Sequence, residues 1–345
     1  MSLEQRLARV LAEHFDPRWG SAWWLERAAD LGFDPRREIR TLADLERLPA
    51  VPASALATRP VEHFVPRRHH AGRAEWILSE TGGTTGRPAR SVFLPEEFEE
   101  AFVAPFVAAA ERMGFPRERS WLYLGPSGPH VIGKAARACA RALGAMDPFS
   151  VDLDPRWVRR LPPGSLARRR YTGHVIAQAL AILESQDVGV LFATPPLVAA
   201  LGERLERELR ERIRGVHLGG MAAEPDFWKQ LDERWFPGAV VLGGYGNSLA
   251  GVCPQLEPTG PDGPEYFPHG DRLVLELVGT AGSGRGRVRF HRLDRSALLP
   301  GMLERDVAAL AVRERTGPED PFQSRGLRDP RPAEEAGEAS TAGLY

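Results

Sequence analysis

Three short segments carry residue types suited to holding an anion or a nucleotide. The first is Ser79 to Pro88, SETGGTTGRP, in which Thr81, Gly82, Gly83, Thr84, Thr85 and Gly86 precede Arg87. Glycines let the backbone approach a phosphate closely, and successive N–H groups form an anion-binding concavity. Threonine hydroxyls add donors without burying a charge, and Arg87 adds charge-assisted ones. The Gly-Lys-Ser/Thr ending of a Walker loop is absent. The second segment is Gly219-Gly220-Met221-Ala222-Ala223-Glu224-Pro225, and the third is Gly243-Gly244-Tyr245-Gly246-Asn247-Ser248. Each alone is ordinary turn chemistry; in this order and spacing the three are far more specific. Two further residues are candidates for catalysis. His130 sits on a Gly/Pro loop, and Cys253 lies just past the third segment, a candidate nucleophile with no base partner visible in the sequence. No Ser/His/Asp triad stands out.

The elements that must position these segments alternate. Leu3, Leu7, Val10, Leu11 and Phe15 recur at helical spacing, and 19–31 with Trp23 and Trp24 reads as a second helix. A strand over 74–79 leads into the Gly/Thr loop, and Ser91–Leu94 leaves it. Helices are predicted over 96–113, 131–143, 172–186, 196–213 and 225–235. Between them fall apolar runs at 121–124, 188–193, 215–220 and 239–242, the pattern of a buried parallel sheet. Ligands of such sheets lie beyond the strand ends, where the glycine segments fall. Residues 272–278 and 286–291 alternate as antiparallel strands. The expected organisation is an N-terminal helical segment (1–72), an α/β core (73–264), a β-subdomain (265–316), and a hinge with a disordered tail (317–345).

Composition narrows the class. Among 345 residues, 45 are Lys or Arg and 46 Asp or Glu, so no electrostatic footprint for nucleic acid or an anionic membrane exists. Two distant cysteines, Cys139 and Cys253, exclude a disulfide scaffold and a zinc site and fit a reducing compartment. Without a signal peptide or an apolar run of membrane-spanning length, the expectation is a soluble cytoplasmic protein.

Over about residues 1–310 the sequence resembles the phenylacetate–CoA ligase branch of the adenylate-forming superfamily of acyl-CoA synthetases, adenylation domains and luciferases. SETGGTTGRP is similar to its phosphate loop, with Arg87 where Lys is usual. Gly125–His130 resembles the segment that gates the acyl site, which makes His130 a pocket residue. Ala193-Thr194-Pro195-Pro196 resembles the family's Thr-Pro-Ser turn. Ala223-Glu224-Pro225 resembles the stretch lying against adenine. Tyr245-Gly246-Asn247-Ser248 is similar to its Tyr-Gly-x-Ser/Thr motif. The resemblance implies an α/β fold: the large N-terminal domain of the adenylate-forming enzymes, layered α/β subdomains plus a small β-barrel-like subdomain. It also implies ATP or AMP and a CoA or phosphopantetheine thioester as ligands.

The departures matter as much. Leu249 replaces the family's magnesium-holding Glu, and Leu cannot ligate a hard cation, so no metal is expected. The ribose-binding motif survives only as Leu303-Glu304-Arg305-Asp306, with Asp306 left for that role. The family's small C-terminal lid domain, with its catalytic lysine, is expected to be absent. The implied function is activation of an acyl or aryl carboxylate and transfer to the thiol of CoA or a carrier protein, with the lysine supplied in trans by a partner, an acyl carrier protein or partner ligase being the implied partners and a homodimer the branch's common state. Two alternatives stay open: an ATP-independent acyltransferase or thioester hydrolase, and a non-catalytic subunit of a biosynthetic complex.

Overall fold

The computed structural model describes residues 2–82, 87–280 and 284–333. A short antiparallel hairpin, β1 (Ile77–Glu80) and β2 (Arg90–Phe93), flanks the Gly/Thr loop. The main sheet comprises β3 (Ser120–Gly125), β4 (Phe149–Asp152), β5 (Val188–Ala193), β6 (Gly215–Leu218), β7 (Val240–Asn247) and β8 (Gly251–Pro254). Its order is β4-β3-β5-β6-β7-β8. The first five strands run parallel, and β8 returns antiparallel to β7.

Alternation along these strands feeds two cores. Trp121, Tyr123, Val190 and Phe192 point to one face, packed by helices Ala104–Met113 and Val131–Ala142. Leu122, Leu124, Leu191 and Ala193 point to the other, under helices Leu166–Ser185 and Pro195–Gly202. Burial on both faces explains why β5 reads as a continuous apolar run.

A second, antiparallel sheet holds β9 (Glu265–Tyr266), β10 (Leu273–Val278), β11 (Arg285–Leu293), β12 (Leu298–Val312) and β13 (Arg325–Pro332), in the order β10-β11-β12-β13-β9. Helix Leu3–His14 and Trp23 and Trp24 pack on it: Leu7, Leu11 and Trp24 share a core with Leu273, Phe290 and Leu298, and the Trp24 indole donates to the Leu298 carbonyl at 3.2 Å. The N-terminal helical segment and the β-subdomain thus form one packed body.

The structure corrects several element boundaries. The helix expected over 196–213 is two, Pro195–Gly202 and Arg207–Arg212, because Leu205 and Ile213 turn inward while the charged residues between stay out. Residues 74–75 end a 3-10 segment rather than opening β1. Within the expected hinge and tail, Arg325–Pro332 is a strand paired along β12. Its Pro330 and Pro332 lie beyond the two residues paired with β9, so neither removes a ladder bond on that side. Residues 334–345 lie outside the described residues. No described helix is long and apolar enough to cross a membrane.

Candidate functional site

At the C-terminal ends of the parallel strands a cavity of about 620 Å³ opens between the two sheets. Thr81, Gly82 and Arg87 border it from the β1–β2 connection, Gly219 and Gly220 from the end of β6, and Gly244 to Leu249 from β7 and its turn. Met302 to Asp306 close it from β12, and Phe102, Phe192, Val131 and Ile132 supply apolar wall. The close approach of β7 and β8 needs glycine: a Cβ on Gly246 would lie 1.9 Å from the Gly251 carbonyl oxygen.

Polar contacts fix the cavity's rim. Tyr245 donates its hydroxyl to the Asp306 carboxylate at 3.1 Å. Asn247 donates its amide to Glu304 and accepts, at 2.7 Å each, from the backbone N–H groups of Leu249 and Ala250. Ser79 donates to the Ser248 carbonyl, tying β1 to the β7 turn. Thr81 accepts from the Ala89 N–H at 3.0 Å, closing the base of the Gly/Thr loop. From helix Pro155–Arg160, Arg159 donates to the Gly82 carbonyl and Arg156 to Glu80, which also takes a 2.7 Å bond from Arg90. Arginine therefore crowds the loop from three positions besides Arg87.

Burial shifts the protonation of these groups. The Tyr245 phenol is raised well above its ordinary value, first by burial and then by the Asp306 and Glu304 charges, so it remains a donor. The Asp306 carboxyl is raised by burial against the opposing Tyr245 bond. Glu304 is pushed up to about 7 by burial and the neighbouring Asp306 charge. His217, pushed down to about 4 by burial, is neutral; its Nδ1 lies 2.6 Å from the Leu242 carbonyl oxygen, to which it donates, leaving Nε2 an acceptor.

Glu304 has a pH signature. Its folded value lies above the unfolded 4.5, so the folded state holds the extra proton between 4.5 and about 7 and loses stability as pH rises through that window. Glu304→Gln, which stays neutral, is expected to match the wild type near pH 5 and to be the more stable at pH 8. Melting temperatures of both proteins at the two pH values check this; a constant gap contradicts it.

Of the sequence candidates, Thr81, Gly82, Arg87, Tyr245, Ser248 and Asp306 line this one cavity, as does Leu249. Gly83, Thr84, Thr85 and Gly86 lie outside the described residues. Three candidates are corrected. Glu224 caps helix Pro225–Gln230 with its side chain 80% exposed, 3.9 Å from Arg331, and is not part of the lining. Cys253 lies on the same sheet face as Tyr245, its cross-strand partner in the β7–β8 pair, but is fully buried in the core and is not part of the lining; burial pushes its thiol up to about 12, which removes the thiolate a nucleophile needs. His130 does not touch the large cavity but lines a smaller one on the far side of the same helix turn.

Sequence reasoning passed over Glu304, Asn247, His217 and the Arg156/Arg159 pair. Glu304 had a signal: it stands two residues before Asp306, and period two puts both on one strand face. The arginines had none, because β4 and helix Pro155–Arg160 follow a Pro/Asp-rich stretch without apolar periodicity.

No family model and no curated protein matches this sequence. Solved structures do. The open conformation of 2-hydroxyisobutyryl-CoA ligase, in complex with 2-HIB-AMP and CoA, superposes with a TM-score of 0.64 at 19% identity, covering 95% of this chain and 67% of that one. The same ligase in the postadenylation state with R3-HIB-AMP gives 0.65 at 18% identity, over 95% and 66% of the two chains. This chain thus spans about two thirds of that ligase's length and shares its fold over the matched part.

Proposed function

We propose that the large cavity activates a small acyl or aryl carboxylate as its acyl-adenylate and passes the acyl group to a thiol of CoA or a carrier protein. The observation that carries this reading is the convergence of Thr81, Gly82, Arg87, Tyr245, Ser248 and Asp306 on one cavity at the strand ends. The fold is supporting, being shared with a ligase whose structures hold an acyl-AMP and CoA.

In this reading a carboxylate oxygen attacks the α-phosphorus of ATP and pyrophosphate leaves; the thiol sulfur then attacks the acyl carbon and AMP leaves. The Gly/Thr loop and Arg87 hold the phosphates and offset their charge. Asp306, held by Tyr245, accepts from a ribose hydroxyl, and Glu304, held by Asn247, stands beside it. Phe102, Phe192 and Met302 offer the acyl group an apolar wall. The residues do not fit a protein-held magnesium. Leu249 brings no oxygen, Glu304 and Asp306 are engaged by Asn247 and Tyr245, and among the described residues no cluster of three His, Cys, Asp or Glu could hold a metal. No step is routed through one.

A second reading takes support from Glu304. A buried carboxyl with a value of about 7 suits a general base at neutral pH, which an ATP-independent acyl transfer from a preformed thioester would use. The two readings separate in one experiment. Protein is incubated either with carboxylate, ATP and thiol, or with an acyl-thioester and a second thiol. AMP and new thioester in the first mixture support activation; acyl movement only in the second supports transfer. Turnover in neither contradicts both.

A further inference from the structure

The smaller cavity, about 370 Å³, lies across the first turn of helix Val131–Ala142 from the large one: Val131 and Ile132 line the large cavity, His130 and Gly133 the small. Its wall is cationic. Lys134, Arg137 and Arg141 follow at i, i+3 and i+7, so they project from one helix face into the same space as Ser127. One carboxylate pairs with them: Asp147 meets Arg137 at 3.1 Å and Arg141 at 2.7 Å. Lys134 donates to the Leu78 carbonyl at 2.9 Å and has no carboxylate partner among the described residues. The other acids nearby are Asp152, which accepts from the Ser127 N–H at 3.1 Å, and Asp154, whose charge at His130 is opposed by Arg159.

Two features of the helix start point the same way. The helix runs twelve residues, and its N-cap, His130, makes no side-chain capping bond, so the positive end of the helix is left without a side-chain acceptor. The His130 ring is itself only 5% exposed, and its Nδ1 is buried with no hydrogen-bond partner among the described residues. A buried polar group without a partner is uncommon, and here it sits where a helix N-terminus, a lysine and two arginines already favour an anion.

We propose that this cavity is a phosphate-binding site, separate from the large one, in which His130 and Lys134 bind the oxygens and Arg137 and Arg141 supply the surrounding charge. The ligand chemistry is a phosphate dianion, either free or carried as a monoester on a larger molecule. The site does not depend on the large cavity's reaction and is tested without it.

The test uses the full chain, labelled with ¹⁵N at histidine and titrated with inorganic phosphate. Saturable movement of the His130 ring signals is expected, and Lys134→Gln and Arg137→Gln are each expected to weaken binding by about tenfold. Arg137 is 64% exposed, so its replacement leaves the fold intact, which circular dichroism verifies. Coenzyme A and dephospho-coenzyme A, which differ by one phosphate monoester, then separate the sources. A preference for the former that disappears in Arg137→Gln assigns the site to a carried monoester; equal affinities with phosphate binding retained assign it to the free ion. Absence of any saturable change at His130, or wild-type phosphate affinity in both variants, overturns the proposal.

Discussion

Replacing Asp294 with alanine is expected to cost about 3–5 kcal/mol of folding stability, the range for leaving a buried charge without its partner. Asp294 is fully buried, with Arg272 at 2.5 Å and Arg292 at 2.6 Å from the same carboxylate oxygen. Burial opposes its charge, but the two guanidinium groups prevail and hold the carboxyl below its usual value. The cluster ties distant parts of the chain together. Arg292 donates to the Ser91 hydroxyl at 2.9 Å, the Leu249 carbonyl at 3.1 Å and the Val92 carbonyl at 2.7 Å. The Asp294 carbonyl accepts from His14 of the first helix at 3.0 Å. Removing the carboxylate strands two buried cations at the junction of the hairpin, the β7 turn and the second sheet. Urea denaturation with an unchanged slope reads the loss; a loss below about 1 kcal/mol contradicts this account of the junction.

Asp306→Ala is expected to lower adenylation by about 10- to 100-fold, since a hydrogen bond to a charged acceptor contributes about 1.5–3 kcal/mol. The carboxylate is already aimed by Tyr245 at 3.1 Å, so its loss removes an ordered acceptor and leaves the phenol unpaired. Stability should fall less than activity, because burial raises the Asp306 carboxyl, its ionised form is a burden on the fold, and removing it offsets part of the cost of the unpaired phenol. Glu224→Ala supplies the contrast. Its side chain is exposed outside the cavity, so it should retain nearly full activity. The value of kcat/KM for ATP, measured at saturating carboxylate, decides; equal losses in both variants contradict the assignment.

How much of this was legible in the sequence depends on how local the signal is. The parallel strands were legible because burial on both faces writes an unbroken apolar run, as in Val188–Ala193. Tyr245, Ser248 and the glycines beside them were legible because a strand-ending turn at close quarters demands glycine, as the Gly246 geometry makes plain. β12 was hidden by Pro300-Gly301 within it, and β13 by prolines that its short neighbour leaves harmless. Cys253 and Glu224 were misjudged for a different reason. Nearness in sequence to a site residue does not place a side chain in the cavity: Cys253 shares a sheet face with Tyr245 but is buried in the core, and Glu224 is turned to solvent at a helix N-terminus. The Arg272–Asp294–Arg292 cluster was invisible because its members meet only after β10 and β11 pair.

The central claim is that the large cavity makes an acyl-adenylate. Carboxylate-dependent exchange of labelled pyrophosphate into ATP tests it most directly, because exchange requires the adenylate to form and revert without any thiol. Over a panel of small aryl and acyl acids, exchange with at least one acid, weakened in Asp306→Ala and retained in Glu224→Ala, is the predicted result. No exchange with any acid, from folded protein that nonetheless moves acyl groups between thiols, contradicts it.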